Sequence, residues 1–214
     1  LMRSSAASDV YKRQDSRYYG RYAEILESTE NKIFAELERI LQSVSEEAEH
    51  SPVEHICSRI KNADSIQEKL RKKGYPTDAG SALCHLSDAV GIRMITHFIG
   101  DVYAILQKIE GDSCWEVVKV KDYISMPKEN GYRSLHVIIQ LPVEDTDLSV
   151  IRAEIQLRTI AMDCWASLEH QMKYKKDIAN ADLIGKELRR CADEMASTDL
   201  TMQTIRELIQ AENS

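Results

Sequence analysis

Hydrophobic positions along the chain predict a long helix near each end of the folded region. Between residues 17 and 44, a mainly apolar stripe recurs with helical spacing. Its members are Tyr22, Leu26, Thr29, Ile33, Leu37, Ile40 and Val44. A second long helix is predicted over residues 181–211, and shorter helices over 101–109 and 159–173. The first helix is interpreted as a packing element without chemistry of its own.

Apolar runs between these helices predict a β-sheet with one buried face. Strands are predicted over residues 53–60, 89–95, 115–120, 137–141 and 150–157, and a turn built on Pro142, Asp145 and Asp147 separates the last two. The last run alternates between apolar Ile151, Ala153, Ile155 and Leu157 and polar Arg152, Glu154, Gln156 and Arg158. Because successive strand residues point to opposite faces, one face of the sheet is core and the other is polar.

Composition narrows the class of protein. A chain of 214 residues with 43% hydrophobic and 29% charged side chains can bury a full core, and it favours one domain with appended helices. It contains no apolar run of about 18 residues, so no membrane span is predicted. The net charge of −7 disfavours general binding to DNA. The five scattered cysteines form no CxxC pair, which favours reduced thiols in the cytoplasm and argues against a zinc site.

Positive charge is concentrated in residues 55–75, which hold six basic and two acidic side chains. The basic residues are Arg59, Lys61, Lys69, Arg71, Lys72 and Lys73. Asp64 is expected to cap the helix in this segment, and Gly74 to end it. Such a run is commonly a solvated helix face, but in an acidic protein it suggests a local site for a polyanion.

Polar side chains of varied chemistry surround the last two predicted strands. Asn130 and Gly131 predict a tight turn, after which Tyr132, Ser134 and His136 alternate on one face of a strand. An aromatic ring can stack on a base, while arginine and lysine hold phosphates. The plain alternative is a solvated sheet surface. The variety of these groups favours a nucleotide site.

Two carboxylates are expected to meet at the polar end of this sheet. Asp88 precedes one apolar strand, and Glu154 lies on another. A single Asp at a strand start is usually a cap or turn residue, but two carboxylates from different strands are the usual protein ligands of a Mg²⁺–nucleotide complex. The neighbouring pair Glu169-His170 offers no ligand set, so a structural role is favoured for it.

The predicted C-terminal helix carries a heptad seam. Its positions alternate spacings of four and three: Ile184, Leu188, Cys191, Met195, Thr198, Met202, Ile205 and Ile209. Such a seam is typical of packing against another helix, either in the same domain or in another subunit. The strict alternation favours a homo-oligomer assembled partly through this helix.

Several motifs in sequence order carry a resemblance to a known family. They are Arg59-Ile-Lys61, residues 65–69, Asp88-Ala-Val-Gly-Ile-Arg93, Lys128-Glu-Asn-Gly-Tyr132-Arg-Ser-Leu-His136, Glu154-Ile-Gln-Leu-Arg158 and Trp165-Ala-Ser-Leu-Glu-His170. Residues 50–175 resemble the synthetase domain of the RelA/SpoT homologue family. The length of the chain resembles the single-domain small alarmone synthetases, and the RelQ type in particular.

The resemblance implies a fold and a reaction. The fold would be α+β, a nucleotidyltransferase-like mixed β-sheet flanked by helices, with long N- and C-terminal helices. The reaction would move the β,γ-pyrophosphate of ATP to the 3′-hydroxyl of GDP or GTP. Its products would be ppGpp or pppGpp and AMP, and its cofactor Mg²⁺.

The resemblance also implies residue roles. Arg59 and Arg93 would hold adenine, with Lys61, Ser65, Lys69 and Arg71 or Lys72 at the ATP phosphates. Tyr132 would stack on guanine, with Lys121, Lys128, Asn130, His136 and Gln156 nearby. Asp88 and Glu154 would bind Mg²⁺ and carry catalysis, with Glu154 as the general base for the ribose hydroxyl.

Two other classes stay open from the sequence. One is a nucleotide-binding regulatory protein on the same fold without turnover, against which the presence of both carboxylates argues. The other is a nucleotidyltransferase that releases pyrophosphate. The co-product, AMP or pyrophosphate, distinguishes these classes.

The expected domain organisation has three parts. Residues 1–15 do not continue the pattern and are expected to be a foreign or disordered leader. Residues 16–178 would form the synthetase domain with its N-terminal helix, and residues 179–214 an oligomerisation helix. The resemblance implies a cytoplasmic homotetramer that binds ATP and GDP or GTP. Residues His55-Ile-Cys57 depart from the RelQ type at an alarmone pocket, so product activation is not implied.

Overall fold

A mixed β-sheet with helices on its faces and edges organises the computed structural model, which describes residues 17–48, 50–144, 147–173 and 180–212. The helices are α1 (Ala23–Ala48), α2 (Ala63–Lys73), α3 (Ala79–His85), α4 (Ile99–Gly111), α5 (Ile160–Lys173) and α6 (Ala181–Glu212). The strands are β1 (Val53–Ile60), β2 (Val90–Thr96), β3 (Glu116–Asp122), β4 (Leu135–Pro142) and β5 (Val150–Thr159). The expected leader, residues 1–15, and position 145 of the predicted turn lie outside the described residues.

The five strands stand in the order β1-β2-β5-β4-β3. β5 runs parallel to β2 and antiparallel to β4, while β1–β2 and β3–β4 are antiparallel pairs. β5, the last strand in the sequence, is therefore the central strand of the sheet. It joins two strand pairs that do not otherwise pair with each other.

One face of the sheet is the hydrophobic core, and α1 and α4 cover it. All seven residues of the predicted α1 stripe are buried, which confirms the helical spacing. From β5, Ile151, Ala153, Ile155 and Leu157 are fully buried, as the alternation predicted. α4 contributes Val102, Ile105 and Ile109 to the same cluster. The opposite face is left to polar side chains.

The helix after β1 begins two residues before the position that the sequence suggested. Asn62, not Asp64, caps α2: its backbone is extended, and its side-chain oxygen accepts the Ser65 backbone N–H at 2.9 Å. Both residue types are good caps, and Asn62, which lies nearer the end of the strand, takes the role because its backbone is still extended. Gly74 ends α2 in the left-handed conformation, with φ at 75°, as predicted.

The short helix α3 was not predicted. It has seven residues, too few to show a helical stripe, and Asp78 caps it by accepting the Ser81 backbone N–H at 2.8 Å. α2 and α3 share a small separate cluster made of Ile66, Leu70, Ala82 and Leu86. This cluster supports the basic segment beside the sheet.

The turn before β4 forms as predicted, but the strand starts later. Gly131 has φ at 88° and its N–H donates to the Lys128 carbonyl at 2.8 Å. The strand begins at Leu135, so Tyr132 and Ser134 precede β4 rather than belonging to it. We call residues 128–133 the turn loop.

The C-terminal helix folds back onto its own domain and contacts it as far as Arg206. α6 packs against α5 and, more weakly, against α4. Leu188, Cys191 and Met195 of the predicted seam are partly buried there, but Thr198, Met202, Ile205 and Ile209 are exposed. The packed stripe instead continues through Asp199, Gln203 and Arg206, each of which hydrogen-bonds to the domain. None of the helices in the described ranges has the length and hydrophobicity needed to cross a membrane.

Candidate active site

The polar face of the sheet gathers functional side chains in rows that run across the strands. One row joins Cys57, Arg93, Gln156, His136 and Lys121, from β1 to β3. The next joins Arg59, Gly91, Glu154, Ile138 and Lys119. Residues that are distant in sequence meet here because paired strand residues share a face. Gly91 has no side chain, so it adds no atoms to this face between Arg59 and Glu154.

Asp88 lies in the turn before β2 and is held by two lysines. Its Oδ2 accepts Lys61 Nζ at 2.6 Å and Lys69 Nζ at 2.7 Å. Burial raises the pKa of Asp88, but the hydrogen bonds from Lys61 and Lys69 outweigh burial and the pKa is lowered. Asp88 is therefore ionised at neutral pH. Its Oδ1 is buried and has no hydrogen-bond partner among the residues that the structure describes.

Glu154 stands on β5 with both oxygens oriented by neighbours. His136 Nδ1 lies 3.1 Å from Oε1, and Gln156 Nε2 donates to Oε2 at 2.8 Å. Burial raises the pKa of Glu154, but His136 and Gln156 lower it and the net shift is downward, although the nearby charge of Asp88 opposes it. The two carboxylates are close enough to influence each other's ionisation, and both stay charged.

These two carboxylates fit a divalent cation. A buried, ionised oxygen without a hydrogen-bond donor is costly unless a cation compensates it, and Asp88 Oδ1 is such an atom. Each Glu154 oxygen keeps a second lone pair beyond the one used by its neighbour. Hard oxygen ligands of this kind suit Mg²⁺.

Tyr132 anchors a second polar network beside Glu154. Its hydroxyl lies 2.8 Å from His136 Nε2 and accepts Arg158 Nη2 at 2.8 Å. Lys128 Nζ lies 4.6 Å from the ring centroids of both Tyr123 and Tyr132. Burial lowers the pKa of Lys128, and the neighbouring Lys121 charge lowers it further. The turn loop thus brings aromatic and cationic groups to the edge of the carboxylate site.

Arg158 and Asp163 complete the site. The sequence placed Arg158 on the polar face without giving it a role, and it did not single out Asp163. Arg158 is only 5% exposed and donates to Asp163 Oδ1 at 2.9 Å. Arg93 Nη1 lies 3.5 Å from the same oxygen, while Arg93 Nε is buried without a partner among the described residues. Only the position of Asp163, an acid in the first turn after a polar-faced strand, could have drawn attention to it.

Most of the predicted site residues meet on this face, but a few are used differently. Arg71 is turned away: it is exposed and bonds weakly to Gln67 on its own helix at 3.4 Å. Lys72 pairs with Glu68 at 2.7 Å, although Ser65, Lys69 and Lys72 share one helical stripe.

Asn130 ties the turn loop together rather than facing outward. Its amide donates to Glu169 Oε1 at 3.1 Å, and its Oδ1 accepts the Tyr132 N–H at 3.2 Å. Glu169 thus has the structural role that the sequence favoured, whereas His170 is exposed. Lys175 and Lys176, which follow α5, lie outside the described residues.

The fold and the open face define a class of protein. Two ionised carboxylates, a set of lysines and arginines and a stacking-competent tyrosine suit an enzyme that handles phosphorylated nucleotides, where positioning and charge neutralisation dominate. The family model described as "Region found in RelA / SpoT proteins" matches residues 58–179, more than half of the chain. The chain belongs to the RelA/SpoT family.

Individual relatives agree with this assignment. The chain is 44% identical over 145 residues to the GTP pyrophosphokinase YwaC of Bacillus subtilis, covering 67% of this chain and 69% of the relative. It is 32% identical over 165 residues to the GTP pyrophosphokinase YjbM of the same organism, covering 77% of each. The solved structure of small alarmone synthetase 1 from Bacillus subtilis, bound to its product pppGpp, matches with a TM-score of 0.79 and 28% identity. That match covers 92% of this chain and 100% of the other, and the predicted fold class is confirmed.

Proposed function

We propose that the protein is a (p)ppGpp synthetase, which transfers the β,γ-pyrophosphate of ATP to the 3′-hydroxyl of GDP or GTP and releases AMP. The observation that carries this proposal is the pair Asp88 and Glu154, both ionised on a face lined by cations. Asp88 retains an oxygen without a hydrogen-bond donor among the described residues, which supports a metal-dependent site rather than an inactive binding protein.

The ATP half of the site would lie over β1, β2 and α2. Arg59 and Arg93 are diagonal neighbours across the antiparallel pair, because Arg59 pairs with Gly91 and Arg93 with Cys57. Such positions are about 7–8 Å apart. A base stacked between two flat groups lies about 3.5–4.0 Å from each, so the two groups must be about 7–8 Å apart. The spacing therefore supports a base held between the two guanidinium groups.

The phosphates of ATP would lie against the lysines that now hold Asp88. Lys61 and Lys69 converge on one carboxylate oxygen, so their charges already point to a single place. Ser65 and Lys72 flank Lys69 along the same stripe of α2 and would extend the contact. Arg71 points away from this stripe, and we leave it out of the proposed phosphate site.

The acceptor nucleotide would lie over β3, β4 and the turn loop. Tyr132 would stack on guanine, with Lys121 and Lys128 near its phosphates. His136 and Gln156 act through Glu154, since both contact that carboxylate. They keep Glu154 ionised and oriented, and Glu154 would accept the proton of the attacking ribose hydroxyl.

Asp88 and Glu154 would hold Mg²⁺. When bound, this ion neutralises the charge of the transferred group and of its leaving phosphate. The protein's own groups supply the rest: Lys61 and Lys69 bind phosphate oxygens, the two arginines fix the donor base, and Glu154 takes the proton.

Product analysis tests this function. The purified chain is incubated with ATP and GDP, or with ATP and GTP, in the presence of Mg²⁺, and nucleotides are separated by chromatography. We expect AMP and a guanosine tetraphosphate or pentaphosphate in equal amounts. Release of pyrophosphate instead of AMP would indicate a nucleotidyltransferase, and unchanged substrates would indicate a binding protein without turnover.

Assembly and location are further parts of the proposal. The exposed apolar residues near the end of α6 support a homo-oligomer, with the tetramer of the resembled RelQ type as the expected size. In this arrangement residues 179–214 serve both the domain and the interface. All five cysteines are unpaired, which supports a reducing location such as the cytoplasm.

A further inference from the structure

The turn loop is held from outside the sheet by the C-terminal helix. Arg189 Nη1 donates to the Glu129 carbonyl oxygen at 2.6 Å. Arg133 Nη1 donates to the Ala192 carbonyl at 3.2 Å, and its Nη2 donates to Asp193 Oδ1 at 2.9 Å. These contacts join both ends of the turn to two successive turns of α6. The loop conformation therefore depends on a helix that lies about 60 residues away in sequence.

The closest approach between loop and helix occurs at Gly131. A Cβ atom added to Gly131 would lie 2.6 Å from Ala192 Cβ and 3.1 Å from Arg189 Cδ. The φ of 88° independently favours glycine at this position. Two small residues let the turn press directly on α6, so a shift of the helix by a fraction of an ångström displaces the turn.

α6 is well placed to serve as a fixed support because contacts elsewhere anchor it. Thr159 donates to the buried Asp199 at 2.5 Å, and Trp165 Nε1 donates to the Leu188 carbonyl at 2.9 Å. Farther along, Arg206 donates to the buried Asp101 at 2.7 Å. None of these contacts involves the turn loop. Contacts with β5, α5 and α4 thus fix the position of α6, and the turn loop packs against this fixed helix.

We propose that α6 positions the turn loop and thereby sets the affinity for the guanine nucleotide. Arg189, Ala192 and Asp193 are positioning residues that act through Glu129, Gly131 and Arg133 on the neighbouring Lys128 and Tyr132. The inference rests on the proposed function, because it assigns the acceptor nucleotide to Tyr132 and Lys128. ATP, on the other half of the sheet, should be unaffected by the same contacts.

Paired substitutions on α6 test the polar contacts. Arg189→Ala and Asp193→Ala remove the side-chain contacts to the loop. Arg190→Ala and Glu194→Ala are matched controls, because Arg190 is exposed and, among the described residues, pairs with Glu187 and Glu194. In steady-state kinetics of the full chain, we expect KM for GDP to rise about tenfold in the first pair with KM for ATP unchanged. The controls should match wild type.

A compensating pair tests the steric contact. Gly131→Ala should raise KM for GDP, because the new methyl group meets Ala192. Ala192→Gly alone gives the baseline for the double variant, which should recover part of the loss, since only the steric clash is removed and the strained φ remains. Circular dichroism and thermal melting of each variant exclude unfolding as the cause. A double variant no better than Gly131→Ala would overturn the steric part of the proposal.

Tyr132→Ala distinguishes a failure of this inference from a failure of the proposed function on which it rests. If Tyr132→Ala raises KM for GDP but Arg189→Ala behaves like Arg190→Ala, the positioning role of α6 is wrong and the acceptor site stands. If Tyr132→Ala leaves KM for GDP unchanged, the acceptor site itself is wrong. Equal increases in KM for ATP and GDP in Arg189→Ala would mean that the contact serves only the fold.

Discussion

At the scale of single residues, the two carboxylates of the open face are ionised although largely buried. The side chains of Asp88 and Glu154 are each 14% exposed. Their charges are sustained by different partners, lysines for Asp88 and an imidazole with an amide for Glu154. Each carboxylate can therefore be tested by a substitution that removes the charge and adds almost no volume.

We expect Asp88→Asn and Glu154→Gln each to lower the rate of (p)ppGpp formation by about 10²-fold or more, because each removes a ligand charge from the metal site. Glu116→Gln is the control, since Glu116 is an exposed carboxylate on β3 that bonds only to Gln140 in the described structure. Formation of AMP is the measurement. Near wild-type turnover in either active-site variant would contradict the assignment of that carboxylate.

Tyr132 should contribute its ring to guanine binding. Stacking of a base on an aromatic side chain is worth about 1–3 kcal/mol, so Tyr132→Ala should weaken binding of GDP while leaving ATP binding unchanged. Tyr132→Phe keeps the ring and loses only the hydroxyl contacts to His136 and Arg158, so it should retain GDP affinity. Calorimetric titration with each nucleotide measures both effects. If the Phe variant loses GDP affinity as strongly as the Ala variant, the hydroxyl network is responsible and not stacking.

The lowered pKa of Asp88 makes a prediction about stability and pH. A carboxyl whose pKa is lower in the folded state contributes stability above its unfolded pKa of about 3.9, and this contribution is lost as the pH falls through the folded value. Asp88→Asn should therefore reduce the free energy of unfolding at about pH 7, and the difference from wild type should shrink below about pH 4. Urea unfolding at several pH values measures the difference. A difference that stays constant over this range would mean that the pKa of Asp88 is not lowered in the folded protein.

At the scale of secondary-structure elements, periodicity predicted which side of a single strand or helix is buried. The two-residue alternation of β5 assigned Ile155 to the core and Glu154 to the open face, and the α1 stripe was buried throughout. For α6, periodicity did not show which residues pack within the domain, because a heptad seam contains no information about what the helix packs against. Two polar residues, Asp199 and Gln203, continue the packed stripe, because each accepts one hydrogen bond from the domain.

Contacts between two different elements could not be predicted from the sequence. The bond from Arg158 to Asp163 and the approach of Gly131 to Ala192 have no periodic signal, since each depends on how two elements meet. The positions of Asp88, Lys61 and Lys69 were predicted individually. Their convergence on one oxygen atom was not, because it depends on where α2 lies relative to the sheet.

Arg206 should matter for the stability of the whole helix α6. It donates to Asp101, whose side chain is 3% exposed, and its guanidinium lies 4.7 Å from the Phe98 ring centroid. Arg206→Met leaves a buried carboxylate without its strongest partner and should lower the free energy of unfolding by about 2–3 kcal/mol. Arg190→Met, which removes only exposed pairs, should change it by less than about 0.5 kcal/mol. Equal effects in urea unfolding would refute the anchoring role.

At the scale of the whole molecule, the outer end of α6 is the clearest candidate for an interface. Met202, Ile205, Leu208 and Ile209 are exposed within two turns of the helix. Scattered exposed apolar residues are ordinary, but a contiguous group on one helix is typical of a contact surface. Leu188, on the same predicted seam, is partly buried within the domain and is therefore a poor site for testing assembly.

We expect Met202→Glu and Ile209→Glu together to reduce the oligomer to smaller species, because burying a new charge in an apolar contact is unfavourable. Ala211→Glu is the control: it adds one such charge at an exposed position on the opposite side of the helix from Met202 and Ile209. Light scattering at micromolar concentration gives the mass, and circular dichroism checks the fold. A wild-type protein that scatters as a monomer would rule out assembly through this surface.

The central place of β5 also determines when the protein can become active during its synthesis. The pairs β1–β2 and β3–β4 leave the ribosome first, and neither contacts the other within the sheet until β5 inserts between β2 and β4. β5 also carries Glu154. A nascent chain shorter than about residue 159 therefore holds two half-sheets with exposed edges and no complete site. Completion of the sheet depends on contacts between segments far apart in sequence, and such contacts are slow to form. The insertion of β5 therefore completes both the sheet and the pair of carboxylates in the site.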